Sequence, residues 1–305
     1  MAPVLAFVFP GQGSQRVGML AAFSSDETVT RLLDAAEALS GLPLARIAAD
    51  GPDAELADTR AAQPLLYLAD WFWAARLEAR GIAPSFVAGH SLGELAALAF
   101  AGVFSVEAGL ELVVTRSRIM AEAASATPGT MAAVLGMDGE TIASVLDGMS
   151  GVWIANDNAA GQVVVSGTHA GVEHAIAALL ASGARKVVPL NVAGPFHSPL
   201  MARARDAFAE VVDQAAFADA RVPVLQNTLP EPTQAAVEIR ARLRDQIVSP
   251  VRWTETMGAL VDAGVTTVVE TGPGAVLTGL ARRMEGITAL SVEGDGVERV
   301  EEVIS

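Results

Sequence analysis

The chain has 305 residues, 51% of them apolar, no cysteine and a formal net charge of −15. That length supports a large buried core without covalent staples, and the absence of cysteine excludes disulfides, thiolate metal sites and a cysteine nucleophile. The negative charge disfavours nucleic acid and anionic membranes as partners, and charges such as Asp70 and Glu94 break every apolar stretch well short of a bilayer span, so a cytoplasmic protein is expected.

Val4 to Phe9 reads as a buried strand and not as a signal peptide, because no basic leader precedes it and no small-residue cleavage site follows. Apolar residues at helical spacing predict a helix over Ala61 to Arg80, with Pro64 near its start and Gly81 past its end. A strand at Ser85 to Gly89 and helices at Leu92 to Ala101 and Val106 to Ala124 continue the strand–helix alternation of a parallel α/β sheet. After Pro128-Gly129 the pattern changes. Strand Met131 to Met137, helix Gly139 to Met149, strands Val152 to Asn156 and Gln162 to Ser166, helix Ala170 to Ser182 and strand Lys186 to Val192 spell βαββαβ, the order of a ferredoxin-like domain. Beyond Pro195 the first pattern resumes, with helix Leu200 to Ala216, strand Pro223 to Gln226, helices over Ala235 to Ile247 and Thr254 to Ala263, and strand Thr266 to Glu270. The expected organisation is an α/β large domain over residues 1–127 and 196–305, interrupted by a ferredoxin-like small domain over 128–195.

Gly89-His90-Ser91-Leu92-Gly93 lies between a strand and a helix, the setting of a nucleophile elbow. Glycines flank the serine because a Cβ at either position would strike the neighbouring strand or helix. Ser91 is then a nucleophile exposed at a helix N-terminus, where backbone N–H groups can receive an oxyanion, or else an ordinary helix cap. A serine nucleophile needs a base, and there are four histidines. His90 belongs to the elbow, and His169 and His174 fall at or in a helix of the small domain whose face is expected to be solvated. His197 remains, on a two-proline loop where the small domain returns the chain to the large one; it is the base, or a loop histidine without a role. The loop Pro10-Gly11-Gln12-Gly13-Ser14 follows the first strand but has Arg16 in the place of the third glycine of a dinucleotide fingerprint. It suits a backbone that approaches an oxyanion, or a simple turn. Arg116 has Leu112, Val113, Ile119 and Met120 three and four positions away, so its guanidinium leaves an apolar helix face and must meet a carboxylate, of the protein or of a ligand. Arg118 is expected to be solvated.

Together the Gly11-to-Gln15 loop, the Gly89-to-Glu94 elbow, Arg116, Phe196-His197-Ser198-Pro199 and Glu270-Thr271-Gly272-Pro273-Gly274 resemble the malonyl-CoA:acyl carrier protein transacylase family, over about Phe7 to Arg283. The resemblance implies an α/β-hydrolase-like large domain with a parallel sheet and an inserted ferredoxin-like domain. It also implies that Ser91 is acylated, that His197 is its base and that Arg116 holds the malonyl carboxylate. By the same resemblance the N–H groups of Gln12 and Leu92 form the oxyanion hole, and the main-chain carbonyl of Gln246 orients the histidine in place of an aspartate. Phe196 before the histidine matches malonyl-selective polyketide domains.

The implied reaction moves malonyl from malonyl-CoA to the phosphopantetheine thiol of an acyl carrier protein through a malonyl-serine ester, with no metal or tightly bound cofactor. Arg185, Lys186, Arg203, Arg205, Arg282 and Arg283 are candidates for a basic patch that receives an acidic carrier protein. The acyltransferase subunit of malonate decarboxylase and a free-standing polyketide acyltransferase carry the same residues. A serine thioesterase or esterase shares the serine, the histidine and the oxyanion hole, and a catalytically silent carrier-binding subunit is the alternative from outside enzymology.

Overall fold

The computed structural model describes residues 3–304; Met1, Ala2 and Ser305 of the expected large domain lie outside the described residues. Among the described residues ten strands form two sheets: β1 Leu5–Phe9, β2 Phe86–Gly89, β3 Thr130–Leu135, β4 Val152–Ala159, β5 Gln162–Gly167, β6 Lys186–Pro189, β7 Val224–Leu225, β8 Val251–Arg252, β9 Thr267–Glu270 and β10 Thr288–Ser291. The first sheet runs β10-β9-β1-β2-β7 and is parallel throughout. Its strands β1, β2 and β7 are apolar without alternation, as a sheet covered on both faces requires. Phe7 and Phe9 on one face pack against Phe100, while Ala6 and Val8 on the other join Trp253, Leu260 and Leu277.

The second sheet runs β6-β3-β5-β4-β8. Its first four strands are antiparallel and have the ferredoxin-like order expected from βαββαβ. The fifth, β8, was not anticipated from the sequence: it comes from the chain well beyond that unit and pairs parallel to β4. Sequence reading also passed over helices Glu27–Ser40 and Leu44–Asp50 and the edge strand β10. One face of the second sheet packs Val134, Val163 and Val165 against the helices Gly139–Leu146 and His169–Ala181. Met131, Ala133 and Val164 face the cleft between the sheets.

Two long helices flank that cleft. Thr59–Ala79 starts two residues earlier than its apolar pattern, because Asp58 accepts the Arg60 N–H as a cap. Val106–Ala126 starts on Ser105, whose side chain accepts the Ala108 N–H. No described helix is long and apolar enough to cross a membrane.

β1 and β2 are parallel neighbours, so the loops after them lie side by side at their carboxyl ends, where open α/β sheets place ligands. The contact there is close. A Cβ on Gly93 would stand 2.0 Å from the Phe9 carbonyl oxygen, one on Gly89 2.1 Å from the Gly93 carbonyl, and one on Gly11 2.4 Å from the His90 carbonyl oxygen. Gly93→Ala is therefore expected to lose about 1–3 kcal/mol or more by overpacking, read by chemical denaturation. An unchanged midpoint would mean that the strand and helix are not in contact at the elbow.

Candidate active site

Ser91 occupies the turn between β2 and the helix Gly93–Phe100 with φ 52°, and His197 sits on the loop after β6 with φ 55°. They are the only non-glycine residues with positive φ among the described residues. Left-handed backbone costs on the order of 1–3 kcal/mol per residue and persists where the surroundings fix it. Ser91 Oγ and His197 Nε2 are 2.8 Å apart.

The Nδ1 of His197 faces two main-chain carbonyls, those of Gln246 at 3.1 Å and Ser249 at 3.0 Å. Carbonyls only accept, so the imidazole proton sits on Nδ1 and leaves the Nε2 lone pair toward the serine hydroxyl. Burial first, and the Arg116 charge second, push the His197 pKa down to about 3, against the pull of the two carbonyls. The imidazole is neutral at neutral pH.

Arg116 is 1% exposed. Its Nη1 donates to Gln63 Oε1 at 2.6 Å, and its Nη2 to Gln246 Oε1 at 3.0 Å and Ser91 Oγ at 3.3 Å. No protein carboxylate pairs with it among the described residues; Glu94 acts only through space. Burial lowers its pKa to about 10, which still leaves a cation at neutral pH. A guanidinium has about five N–H donors. These three bonds leave its buried Nε without a partner. Amide oxygens and a hydroxyl thus hold a charge that is in contact with no carboxylate among the described residues.

Gln246 touches all three groups. Its carbonyl accepts from His197, its Oε1 accepts from Arg116, and its Nε2 donates to the Ser91 carbonyl at 2.9 Å. Gln12 and Leu92 line the same cleft, of about 410 Å³, and their backbone N–H groups donate to no protein acceptor among the described residues. The side chain of Gln12 is tied back to the arginine, since Thr59 Oγ1 donates to Gln12 Oε1 and Gln63 Nε2 donates to Thr59 Oγ1. Asn158 crosses from β4 to accept from His90 Nε2 at 2.8 Å.

Five of the six residues expected at the site line one cleft, and the sixth, Gln246, is buried behind it and bonded to Arg116, His197 and the Ser91 carbonyl; sequence reading missed Gln63, Asn158 and the Ser249 carbonyl beside them. Gln63 left one signal: an amide inside the apolar run Ala61 to Leu66, buried at 1% exposure. His169 and His174 are exposed on their helix, and Arg118 pairs with Glu122 in solvent. Of the six basic candidates, Arg205 is paired with Asp206 and Asp245 and Arg282 with Asp295. Arg185, Lys186, Arg203 and Arg283 are exposed. No three histidine or acidic side chains are grouped as metal ligands among the described residues.

The family model described as the acyl transferase domain matches residues 6–288, which include every residue of this site. The malonyl CoA-acyl carrier protein transacylase of Synechocystis sp. is 44% identical over 279 residues, 91% of this chain and 92% of that protein. The protein of the same name from Bacillus subtilis is 40% identical, with 92% of this chain and 90% of that one covered. A solved complex of a type II polyketide acyl-carrier protein with its malonyl-transacylase matches at a TM-score of 0.88 and 38% identity over 94% of each chain. Similarity of this extent runs through both sheets and the cleft between them, and the chain belongs to the acyl transferase domain family.

Proposed function

We propose that this protein transfers a malonyl group from malonyl-CoA to the phosphopantetheine thiol of an acyl carrier protein, through a malonyl ester on Ser91. The observation that carries this reading is the buried Arg116, held by amides, with donor capacity to spare and 3.3 Å from the Ser91 hydroxyl. A carboxylate at the far end of the acyl group would satisfy that charge bidentately.

In the first half-reaction the neutral His197 Nε2 takes the hydroxyl proton as Ser91 Oγ attacks the thioester carbonyl. The N–H groups of Gln12 and Leu92, which have no acceptor among the described residues, receive the tetrahedral oxyanion. The C–S bond breaks, the imidazolium returns its proton to the CoA sulfur, and the malonyl ester remains. A carrier-protein thiol then gives its proton to His197 and attacks the ester, and the Ser91 oxygen leaves with that proton. Ping-pong kinetics follow from the two half-reactions. The acyl carboxylate also acts on the base: it offsets the Arg116 charge that depresses His197, so a malonyl group strengthens the base that an acetyl group leaves weak. The similarity to a polyketide carrier complex favours, as a second reading, the same transfer to a polyketide carrier protein.

After incubation with labelled malonyl-CoA, intact mass should show one malonyl adduct on the wild type and none on Ser91→Ala. Label retained by Ser91→Ala would remove the serine from the mechanism, and free malonate in place of acylated carrier would make the protein a hydrolase. Arg116→Ala should still be acylated by acetyl-CoA but lose malonyl preference by about 10- to 100-fold, the range of a charge-assisted hydrogen bond; equal loss with both substrates would assign the arginine to structure alone. Because a depressed pKa keeps the base neutral, the rate of acetylation should stay level as pH falls through 6.5, the ordinary imidazole value. A half-maximal rate there would show an unperturbed histidine.

A further inference from the structure

Ser91 holds its left-handed backbone against a conformational cost, and the structure shows one side chain that grips it on both sides. Asn227 Oδ1 accepts the Ser91 N–H at 2.7 Å, and its Nδ2 donates to the Gly89 carbonyl at 2.6 Å. Asn227 lies just past β7, which pairs with β2 through Val87↔Val224 and Ala88↔Leu225. Where the ladder stops, the side-chain amide acts as a further peptide unit for the elbow, offering one acceptor and one donor. The residue is itself fixed. It is 1% exposed, its N–H donates to Glu94 Oε2 at 2.8 Å, and its carbonyl accepts the Arg252 N–H at 3.3 Å. Glu94 is fully buried and also accepts from Gln226 Nε2 at 3.1 Å. Asn227 does not line the cleft, so it touches no reacting atom.

We propose that Asn227 is the positioning residue of the nucleophile: its amide locks Ser91 in the left-handed turn and so fixes Oγ between His197 Nε2 and Arg116 Nη2. The proposal rests on Ser91 being the nucleophile. Its chemistry separates positioning from mere packing. In Asn227→Asp, the protonated acid reproduces both amide bonds, whereas the carboxylate accepts from Ser91 but repels the Gly89 carbonyl. Glu94 faces this group from the helix Gly93–Phe100, Arg252 from β8, and Arg116 and His197 from beyond the elbow, so each variant rate is taken as a ratio to wild type at the same pH.

The experiment is single-turnover acylation by malonyl-CoA, read by intact mass, for wild type, Asn227→Ala and Asn227→Asp, with a thermal melt of each. Asn227→Ala should acylate about 100-fold slower at every pH, the scale of a nucleophile misplaced by an ångström. For Asn227→Asp the ratio should climb as pH falls from about 8 to about 5, as the introduced acid regains its proton. An alanine variant within about twofold of wild type overturns the proposal. So does a pair of variants slowed equally, with a ratio that does not change with pH. Should the alanine variant not fold, the aspartate ratio decides alone. A wild type that takes up no malonyl group on Ser91 overturns the nucleophile reading, and this proposal with it, a result distinct from an active wild type with unimpaired variants.

Discussion

The close approach of β1, β2 and the helix Gly93–Phe100 is the constraint on which the rest of this structure depends. A strand and a helix joined by a turn this short cannot accommodate side chains at Gly89 or Gly93, and the neighbouring loop cannot accommodate one at Gly11. The chain must then rise through Ser91 with positive φ. What would be strain elsewhere serves here as aim. The serine hydroxyl stands clear of both elements, with the His197 imidazole on one side and the Arg116 guanidinium on the other. A side chain presented on a fixed turn needs no reorganisation when it reacts.

The second feature is a choice of partners. The imidazole is oriented by two carbonyls and the guanidinium by two amide oxygens and a hydroxyl. Among the described residues no acid is hydrogen-bonded to or ion-paired with either. An aspartate behind His197 would raise its pKa, as in the serine protease triad, but it would also bring a negative charge close to Arg116. Carbonyls fix the ring without that charge. Glu94 balances part of the arginine charge from a distance while its own oxygens are taken by Asn227 and Gln226. On the proposed reading that cation is kept for a guest, an acyl group that carries an anion.

Much of this was legible from residues alone, and the reason differs from case to case. The glycines around Ser91 announced a turn because only sterics of that kind require them. Arg116 announced itself because an arginine on an apolar helix face needs an explanation. His197 emerged by elimination among four histidines, together with the family resemblance. The cage around the arginine was hidden, because Gln63 is 53 positions away from it and Gln246 130, and amides carry no periodic signature. β8 was equally hidden. A strand of two residues has no pattern to read, and its pairing with β4 is a property of the assembled fold.

That short strand changes how the second sheet relates to the chemistry. Gln246 and Ser249 supply the carbonyls that orient His197, and the chain enters β8 at Val251 immediately afterwards. β8 is hydrogen-bonded to β4, and the Arg252 N–H also donates to Asn227 beside the elbow. β4 in turn carries two irregularities of register, between Ile154 and Asn156 and between Asp157 and Ala159; Asn158, within the second, reaches His90. The second sheet is therefore hydrogen-bonded both to the segment whose carbonyls face His197 and to the residues beside the Ser91 turn. A sheet attached only through its entry and exit loops could swing without disturbing the serine or the histidine. This one is tied to the neighbours of both, so the width of the cleft and the alignment of Ser91 with His197 are set by one connected set of hydrogen bonds.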